Sequence, residues 1–402
     1  MADDHLPPDI LEEMFSRLPV QSLLRFRSTS KSLRSLIDSH NFIKLHLKNA
    51  LNFNFFLLHN NDLYQLDFPN LTKSMIPLNH PFSSNITPVT RNSSVMTLIG
   101  SCNGLLAISH GKITFKHPYD ANEITFWNPT TRKHQIIPFH PLPIPNLLKS
   151  NNIALCVHGF GFDPLTADYK LLRISFIADL NYSFDPHVRL FSSKTNSWKI
   201  IHSIPPYALY YCETMGVFVE NSIHWIMTPK INGEDPCLIV AFDLSLEIFN
   251  EVPLPAEIDQ EVNCNESFKI DVADLGGRLC LTVKYETTKI DVWVMKEYGS
   301  SDSWCKLFTL DQSSFTFSLK SLRPLCYSSD GSKVLLEEHY EKLFWYDLKS
   351  EQVSYVEGIP SFDGAMICVE SLVPPSFPVD NCRTKENRTS KNRYSFLIIR
   401  IF

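Results

Sequence analysis

The sequence lacks the features of secreted, membrane-spanning and disulfide-rich proteins. Its ten cysteines contain no CxxC pair, and no apolar run approaches the roughly 18 residues that cross a membrane. The chain also starts with acidic residues rather than with an apolar leader. We therefore expect reduced cysteines, a location in the cytoplasm and/or nucleus, and no membrane partner.

Motifs of catalysis are absent as well. There is no glycine-rich phosphate loop, HExxH, GxSxG or metal-ligand spacing, and the histidines are scattered along the chain. The formal net charge of −6 and the pI near 6.2 argue against a nucleic-acid-binding protein. The sequence thus predicts no catalytic residue, no metal, no cofactor and no nucleic-acid partner.

What the sequence does contain begins with a short, strongly apolar N-terminal segment. Three short helices are predicted, of which the first ends at Pro19 and the third has Ser30 as its N-cap. About 45 residues in three helices cannot bury this much apolar surface alone, so a partner is expected. The apolar positions are Ile10, Leu11, Met14, Phe15, Leu18, Leu23, Leu24, Phe26, Leu33, Leu36 and Ile37.

Charge in the middle of this segment is of one sign. Every charged residue between Glu13 and Asp38 is basic, which suits an acidic partner by steering its approach. A solvated helix face is the alternative interpretation. The basic residues are Arg17, Arg25, Arg27, Lys31 and Arg34.

Beyond residue 50 one pattern recurs with a period of about 50 residues, which predicts a β-propeller in the size range of kelch repeats. Six or seven blades are both possible, because 104–115 could add strands. A strand from Ile367 is expected to close the ring with one from Phe53. The copies start at Leu63, Phe126, Leu190, Ala241, Val292 and Phe344, and their equivalent aromatic residues are Tyr64, Trp127, Phe191, Phe242, Trp293 and Trp345.

Both parts of the chain resemble one family. LPPDILEEMFSRLP and VQSLLRFRSTSKSLRSLI resemble the F-box of plant proteins. SCNGLLAI, FWNPTTRK, GFGFDPLTADYKLL, SSKTNSW, GVFVENSIHW, AFDLSLEIFNEVPLP and CVESLVP resemble the type-1 F-box-associated domain, in its usual order. These segments are similar in sequence to those of the group that includes the constitutive expresser of pathogenesis-related genes and the S-locus F-box proteins.

The resemblance implies an α+β multidomain chain. A small all-α F-box helical unit would occupy residues 1–48, and an all-β, kelch-like propeller of six or seven blades would occupy 51–378. The basic residues Arg383, Lys385, Arg388, Lys391 and Arg393 lie in a tail, 379–402, that we expect to be disordered.

The resemblance also implies a function without chemistry of its own. The F-box would dock a Skp-type adaptor, which tethers cullin and RING subunits of an SCF-type ubiquitin ligase, and the propeller would bind a protein target for ubiquitination. Two alternatives remain: a protein that binds the adaptor but does not direct degradation, and a propeller enzyme whose F-box serves its own turnover.

Matching the F-box pattern position by position gives the expected adaptor contacts. Leu33 stands where these F-boxes usually carry tryptophan, which removes a large aromatic anchor and predicts weaker binding. Ser30 replaces the usual cysteine. The expected contacts are Leu6, Pro7, Ile10, Leu11, Leu18, Pro19, Leu23, Leu24, Phe26, Arg27, Leu33 and Leu36.

Two loops are candidates for target binding. The connection PPYALYYCETM carries Tyr207, Leu209, Tyr210 and Tyr211, and tyrosine-rich loops are common hot spots. The alternative is that these tyrosines cover the propeller channel or a neighbouring blade. The insertion HPLPIPNLLKSNN, residues 140–152, is the second candidate, with a mobile excursion as the alternative interpretation.

Overall fold

The computed structural model describes most of the chain. Leu6, Tyr210, Tyr211 and the tail 379–402, all of which carried predictions, lie outside the described residues. No described helix is long and apolar enough to cross a membrane. The described residues are 7–50, 52–68, 71, 75–83, 94–112, 123–141, 153–178, 184–202, 207–209, 215–229, 237–259, 268–286 and 288–376.

Four short helices form the N-terminal unit: α1 (Pro8–Ser16), α2 (Val20–Arg27), α3 (Lys31–Ile37) and α4 (His40–Lys48). Pro19 separates α1 from α2, and the Ser30 hydroxyl caps α3 by accepting a hydrogen bond from the Leu33 amide at 3.1 Å, as predicted. The sequence patterns missed α4. A second serine cap marks its start, because Ser39 accepts from the Phe42 amide at 3.2 Å.

The described residues that follow are mainly strands, in antiparallel sheets that form the blades of a propeller. Blade 1 contains β1 (Phe53–His59), β2 (Asp62–Leu66) and β3 (Ile76–Leu78), and blade 2 contains β4 (Ser94–Cys102), β5 (Leu105–Lys112), β6 (Glu123–Trp127) and β7 (His134–Ile137). Blade 3 contains β8 (Ile153–Asp163), β9 (Asp168–Ala178), β10 (Phe184–Ser192) and β11 (Ser197–Ile201).

The second half of the ring repeats this arrangement. Blade 4 contains β12 (Tyr207–Leu209), β13 (Val217–Val219), β14 (Ser222–Pro229), β15 (Leu238–Asp243) and β16 (Ile248–Val252), followed by α5 (Ala256–Asp259). Blade 5 contains β17 (Phe268–Leu275), β18 (Arg278–Tyr285), β19 (Lys289–Met295) and β20 (Trp304–Asp311). Blade 6 contains β21 (Leu322–Tyr327), β22 (Lys333–Glu338), β23 (Lys342–Asp347) and β24 (Val353–Tyr355).

The last strand, β25 (Gly364–Val369), closes the ring by returning to blade 1. It pairs antiparallel with β1, from Phe53 opposite Val369 to Leu58 opposite Gly364. The predicted closure is therefore confirmed, and the blades number six. The segment proposed to hide a further blade is β5, the second strand of blade 2.

Each repeat copy corresponds to the third and fourth strands of a blade. In blades 2, 4 and 6 the same turn joins these strands, and this register places Tyr346, not Trp345, at the position of Trp127. The predicted equivalence is thus wrong by one residue in blade 6. In each turn a residue with φ of 58° to 61° donates its amide to the carbonyl four residues earlier: Arg132 to Asn128 (2.8 Å), Glu247 to Asp243 (2.8 Å) and Glu351 to Asp347 (2.9 Å).

The helices and the propeller share one apolar core. Val20, Leu23 and Phe42 of the helices belong to the same buried cluster as Phe126 of blade 2 and Phe160 of blade 3. The expectation that the apolar surface of the helices needs a separate partner is thus corrected in part, because the propeller covers one side of it. We call the end of the propeller that carries Asn52, the turn 103–104 and the turn 128–133 the helix end.

The cysteines depart from expectation at one position. Six described cysteines are free thiols, but Cys237 is disulfide-bonded. The partner of Cys237 lies outside the described residues. The prediction that all thiols are reduced is wrong at Cys237.

Candidate docking surfaces

The helical unit exposes large apolar side chains on α1 and α2. The exposed fractions are 49% for Ile10, 56% for Met14 and 39% for Phe26, and the Phe26 ring lies 5.3 Å from that of Phe15. Ile10 and Met14 are four residues apart on α1 and so lie on the same helix face, and clustered exposed apolar residues mark sites of protein interaction. We call Ile10, Met14 and Phe26 the apolar patch. Met14 was not among the predicted contacts, although its place in the helical pattern was visible in the sequence.

The other predicted adaptor residues divide by burial. Leu23 is 0% exposed inside the core, so it supports the helices and offers no surface to a partner, which corrects its predicted role as a contact. Pro7 and Pro19 are exposed, whereas Leu11, Leu18, Leu24, Leu33 and Leu36 are half-buried.

Ion pairs within the helical unit neutralise much of its basic charge. Arg27 makes two hydrogen bonds to the Asp38 carboxylate, at 2.6 and 2.8 Å, and these bonds lower the pKa of Asp38. Arg34 lies 3.7 Å from the same carboxylate, and Arg17 pairs with Glu13 at 2.6 Å. Among the described residues, ion-pair partners are found for three of the five basic side chains. For Arg25 and Lys31 no ion-pair partner is found there.

The predicted target-binding tyrosines lie partly in a strand rather than in a loop. Tyr207 and Leu209 belong to β12, which pairs with β14 in blade 4. The Tyr207 hydroxyl donates to the Glu251 carboxylate, and burial together with this bond raises the pKa of Tyr207 to about 12. Tyr207 is half-buried and packs against a buried cluster that blades 3 and 4 share, which favours the alternative that it covers a neighbouring blade.

Of the second candidate loop, only His140 and Pro141 are described. The His140 carbonyl accepts a hydrogen bond from Arg173 at 2.8 Å, and Arg173 lies over the Trp198 ring at 5.2 Å. This start of the insertion packs against blade 3. The prediction for the remaining residues, 142–152, lies outside the described part of the chain.

A channel of about 3160 Å³ is lined by the innermost strands and by α4. Asp271 and Asp274 of β17 face it, and burial raises the pKa of each to about 6. In the part of the chain that the structure describes, no group of three His, Cys, Asp or Glu side chains is arranged to hold a metal ion.

Known proteins resemble the chain in both of its parts. The model described as "F-box domain" matches residues 4–45, and the model described as "F-box associated beta propeller domain" matches residues 54–370. F-box protein CPR1 of Arabidopsis thaliana is 34% identical over 388 residues, which cover 92% of this chain and 88% of that protein. Another Arabidopsis thaliana F-box protein is 29% identical, over 91% and 90% of the two chains.

Solved structures resemble the chain more remotely. An oligogalacturonate lyase in complex with manganese is 10% identical, with a TM-score of 0.37, over 73% of this chain and 69% of that one. We infer no activity from a likeness at this level.

Proposed function

This chain belongs to the F-box proteins that carry an F-box associated beta propeller domain, and on that premise we propose that it is the substrate-recognition subunit of an SCF-type cullin-RING ubiquitin ligase. The observation that carries the proposal is the apolar patch on α1 and α2, which stays exposed although the helices are packed against the propeller. A Skp-type adaptor is the partner that the patch would bind.

The proposed mechanism needs no catalytic residue in this chain. The adaptor tethers the chain to cullin and RING subunits, while the propeller holds a protein target. A target lysine is then kept near a ubiquitin-charged enzyme, so that transfer becomes effectively intramolecular. The proposal includes a location in the cytoplasm and/or nucleus, which imaging of a tagged chain tests.

Co-purification of the full chain with a Skp-type adaptor tests the proposal. The double variant Ile10→Ala/Met14→Ala should weaken binding by at least roughly tenfold, because each truncation removes apolar contact at the centre of the patch. Ile248→Ala is the matched control, since Ile248 is 40% exposed on β16 of blade 4, which contributes no buried residue to the core shared with the helices. No complex with the unmodified chain, or equal binding by all three proteins, would refute the proposal.

The second candidate function is adaptor binding without degradation of a target. Leu33 favours it, because the family usually has a tryptophan there and this chain has a smaller side chain that is half-buried. Protein half-lives compared with and without the chain separate the two functions. An adaptor complex that changes no protein's half-life would support this candidate.

A further inference from the structure

A short segment after the last strand connects the helices to the propeller. β25 ends at Val369, and Glu370–Ser376, which we call the strap, belongs to no strand. The ring is closed without the strap, because the pairing of β25 with β1 ends at Val369. The strap therefore has a role other than closing the ring.

Hydrogen bonds join the strap to three successive parts of the ring. These parts are the linker before blade 1, a turn of blade 2 and a turn of blade 3. The Glu370 amide donates to the Asn52 carbonyl (2.9 Å), Asn128 Nδ2 donates to the carbonyls of Ser371 (3.0 Å) and Val373 (2.8 Å), and the Ser193 hydroxyl donates to the Pro375 carbonyl (2.8 Å).

The turn of blade 2 at residues 103–104 also lies in close contact with the strap. Ser371 is 0% exposed, and its hydroxyl donates to the Asn103 carbonyl at 2.9 Å. Gly104 has φ of +84°, and a Cβ there would lie 2.1 Å from Ser371 Oγ and 2.8 Å from the Val369 carbonyl oxygen. Only glycine lets the blade 2 turn approach the strap this closely.

The strap also contributes to the core of the helical unit. Leu372 is 7% exposed and Val373 is 1% exposed, and both belong to the buried cluster that contains Val20, Leu23 and Phe42 of the helices. The strap is thus bound to the propeller through polar groups and shares an apolar core with the helices.

Asn128 differs from its counterparts in other blades in a way that matches this role. Its Oδ1 accepts from the amides of the second and third residues after it, as do the carboxylates of Asp243 and Asp347 in the equivalent turns. An aspartate is thus sufficient for the turn. The amide nitrogen of Asn128 adds the donor that binds the strap, which an aspartate lacks.

We propose that the strap, clamped by Asn128, is a positioning element that fixes the helical unit on the propeller. On the basis of the proposed function, this fixed orientation also sets the distance from a propeller-bound lysine to the ubiquitin-charged enzyme. If the helical unit were loosely held, the lysine would adopt more orientations relative to the ubiquitin-charged enzyme, and its effective concentration there would fall.

Asn128→Asp is the sharpest variant, because it keeps the acceptor of the turn and replaces the donor by a carboxylate facing two carbonyl oxygens. Asp347→Asn is the matched control, since it makes the reciprocal change in the equivalent turn of blade 6. Ser193→Ala removes the bond to Pro375 together with a 2.9 Å contact to the Gln135 side chain of blade 2, and it serves as a milder second variant if Asn128→Asp does not fold.

Hydrogen exchange measured on the full chain tests the clamp directly. In Asn128→Asp the amides of Val373 and of α4 should exchange at least about tenfold faster, because two hydrogen bonds are lost. Amides of β18 should be unchanged, as should all amides in Asp347→Asn. Unchanged exchange at Val373 and α4 in both Asn128→Asp and Ser193→Ala would overturn the proposal.

Ubiquitin transfer in the assembled ligase tests the consequence and uses the chain's own lysines as the probe. The unmodified chain should be ubiquitinated at a restricted set of propeller lysines, and Asn128→Asp should broaden that set with adaptor affinity unchanged. An unchanged set despite faster exchange would overturn the orienting role. Failure of the unmodified chain to bind the adaptor would refute the proposed function, whereas the exchange result would still decide the clamp.

Discussion

At the scale of single residues, burial decides which polar side chains titrate. His224 of β14 is 0% exposed, with Nδ1 3.0 Å from the Val217 carbonyl and Nε2 2.7 Å from the Tyr298 hydroxyl. Because a carbonyl only accepts, Nδ1 carries the proton and Nε2 accepts from Tyr298. Burial lowers the pKa of His224 to about 4.

This pKa predicts a loss of stability in acid. Since the ordinary pKa of histidine is about 6.5, the unfolded chain takes up the proton first as the pH falls. The contribution of His224 is therefore complete above pH 6.5 and decreases from about pH 6.5 to about pH 4. His224→Gln should reduce the difference in unfolding free energy between pH 7 and pH 5 by about 2 kcal/mol in urea titrations.

His134→Gln, which changes an exposed histidine, is the control and should retain the pH dependence of the unmodified chain. If His224→Gln retained it as well, the burial argument would be wrong. The sequence shows His224 within a strand pattern but not its depth, because depth depends on which residues of blade 5 face it.

At the scale of elements, a buried lysine of blade 3 links blades 3 and 4, because it pairs with a buried aspartate of its own blade and also binds two groups of blade 4. Lys170 Nζ lies 2.9 Å from Asp163 Oδ2 and 2.6 Å from the Leu244 carbonyl, and 3.3 Å from Glu247 Oε1. Lys170 is 5% exposed and Asp163 is 0% exposed. The contacts between blades thus explain Asp163 and Lys170 in the segment GFGFDPLTADYKLL, which carried part of the family resemblance.

Lys170→Met should destabilise the fold by about 3–5 kcal/mol, because it leaves the Asp163 carboxylate buried without its cation. Lys199→Met is the matched control, since Lys199 also pairs with Glu247 but its side chain is 52% exposed. Its cost should stay within about 1 kcal/mol. Urea unfolding measures both, and similar costs for the two variants would contradict the prediction.

Sequence patterns predicted the elements well where a periodic pattern was sustained over several repeats, and poorly where an element was only a few residues long. Six repeat copies predicted the outer strands of all blades, because alternation and turn residues recur in each. β12 has only three residues, and the tyrosine-rich segment from Tyr207 to Tyr211 suggested a loop. Its pairing with β14 is non-local, so no local pattern could reveal it.

At the scale of the whole molecule, stability depends on contact between the two ends of the chain. β25 covers β1 at the only place where the described ring would otherwise open. A chain ending at Phe362 lacks β25 and, in unfolding followed by circular dichroism, should lose the cooperative transition that is expected of the full chain. The chain with Ile248→Ala should keep it. A cooperative transition of unchanged midpoint without β25 would contradict this role.

The sequence by itself determined three of the four helices with the Ser30 cap, the propeller repeat, the strand that closes the ring and the family to which the chain belongs. These features rest on local periodicity, capping residues and recurring turns, all of which are readable along the chain. Tertiary structure alone decided that Leu23 is core while Met14 is exposed, that Arg27 is paired with Asp38, and that Asn128 holds the strap beneath the helices. Such outcomes depend on residues far apart in sequence, whose contacts exist only once the ring has closed and the helices have packed on its end.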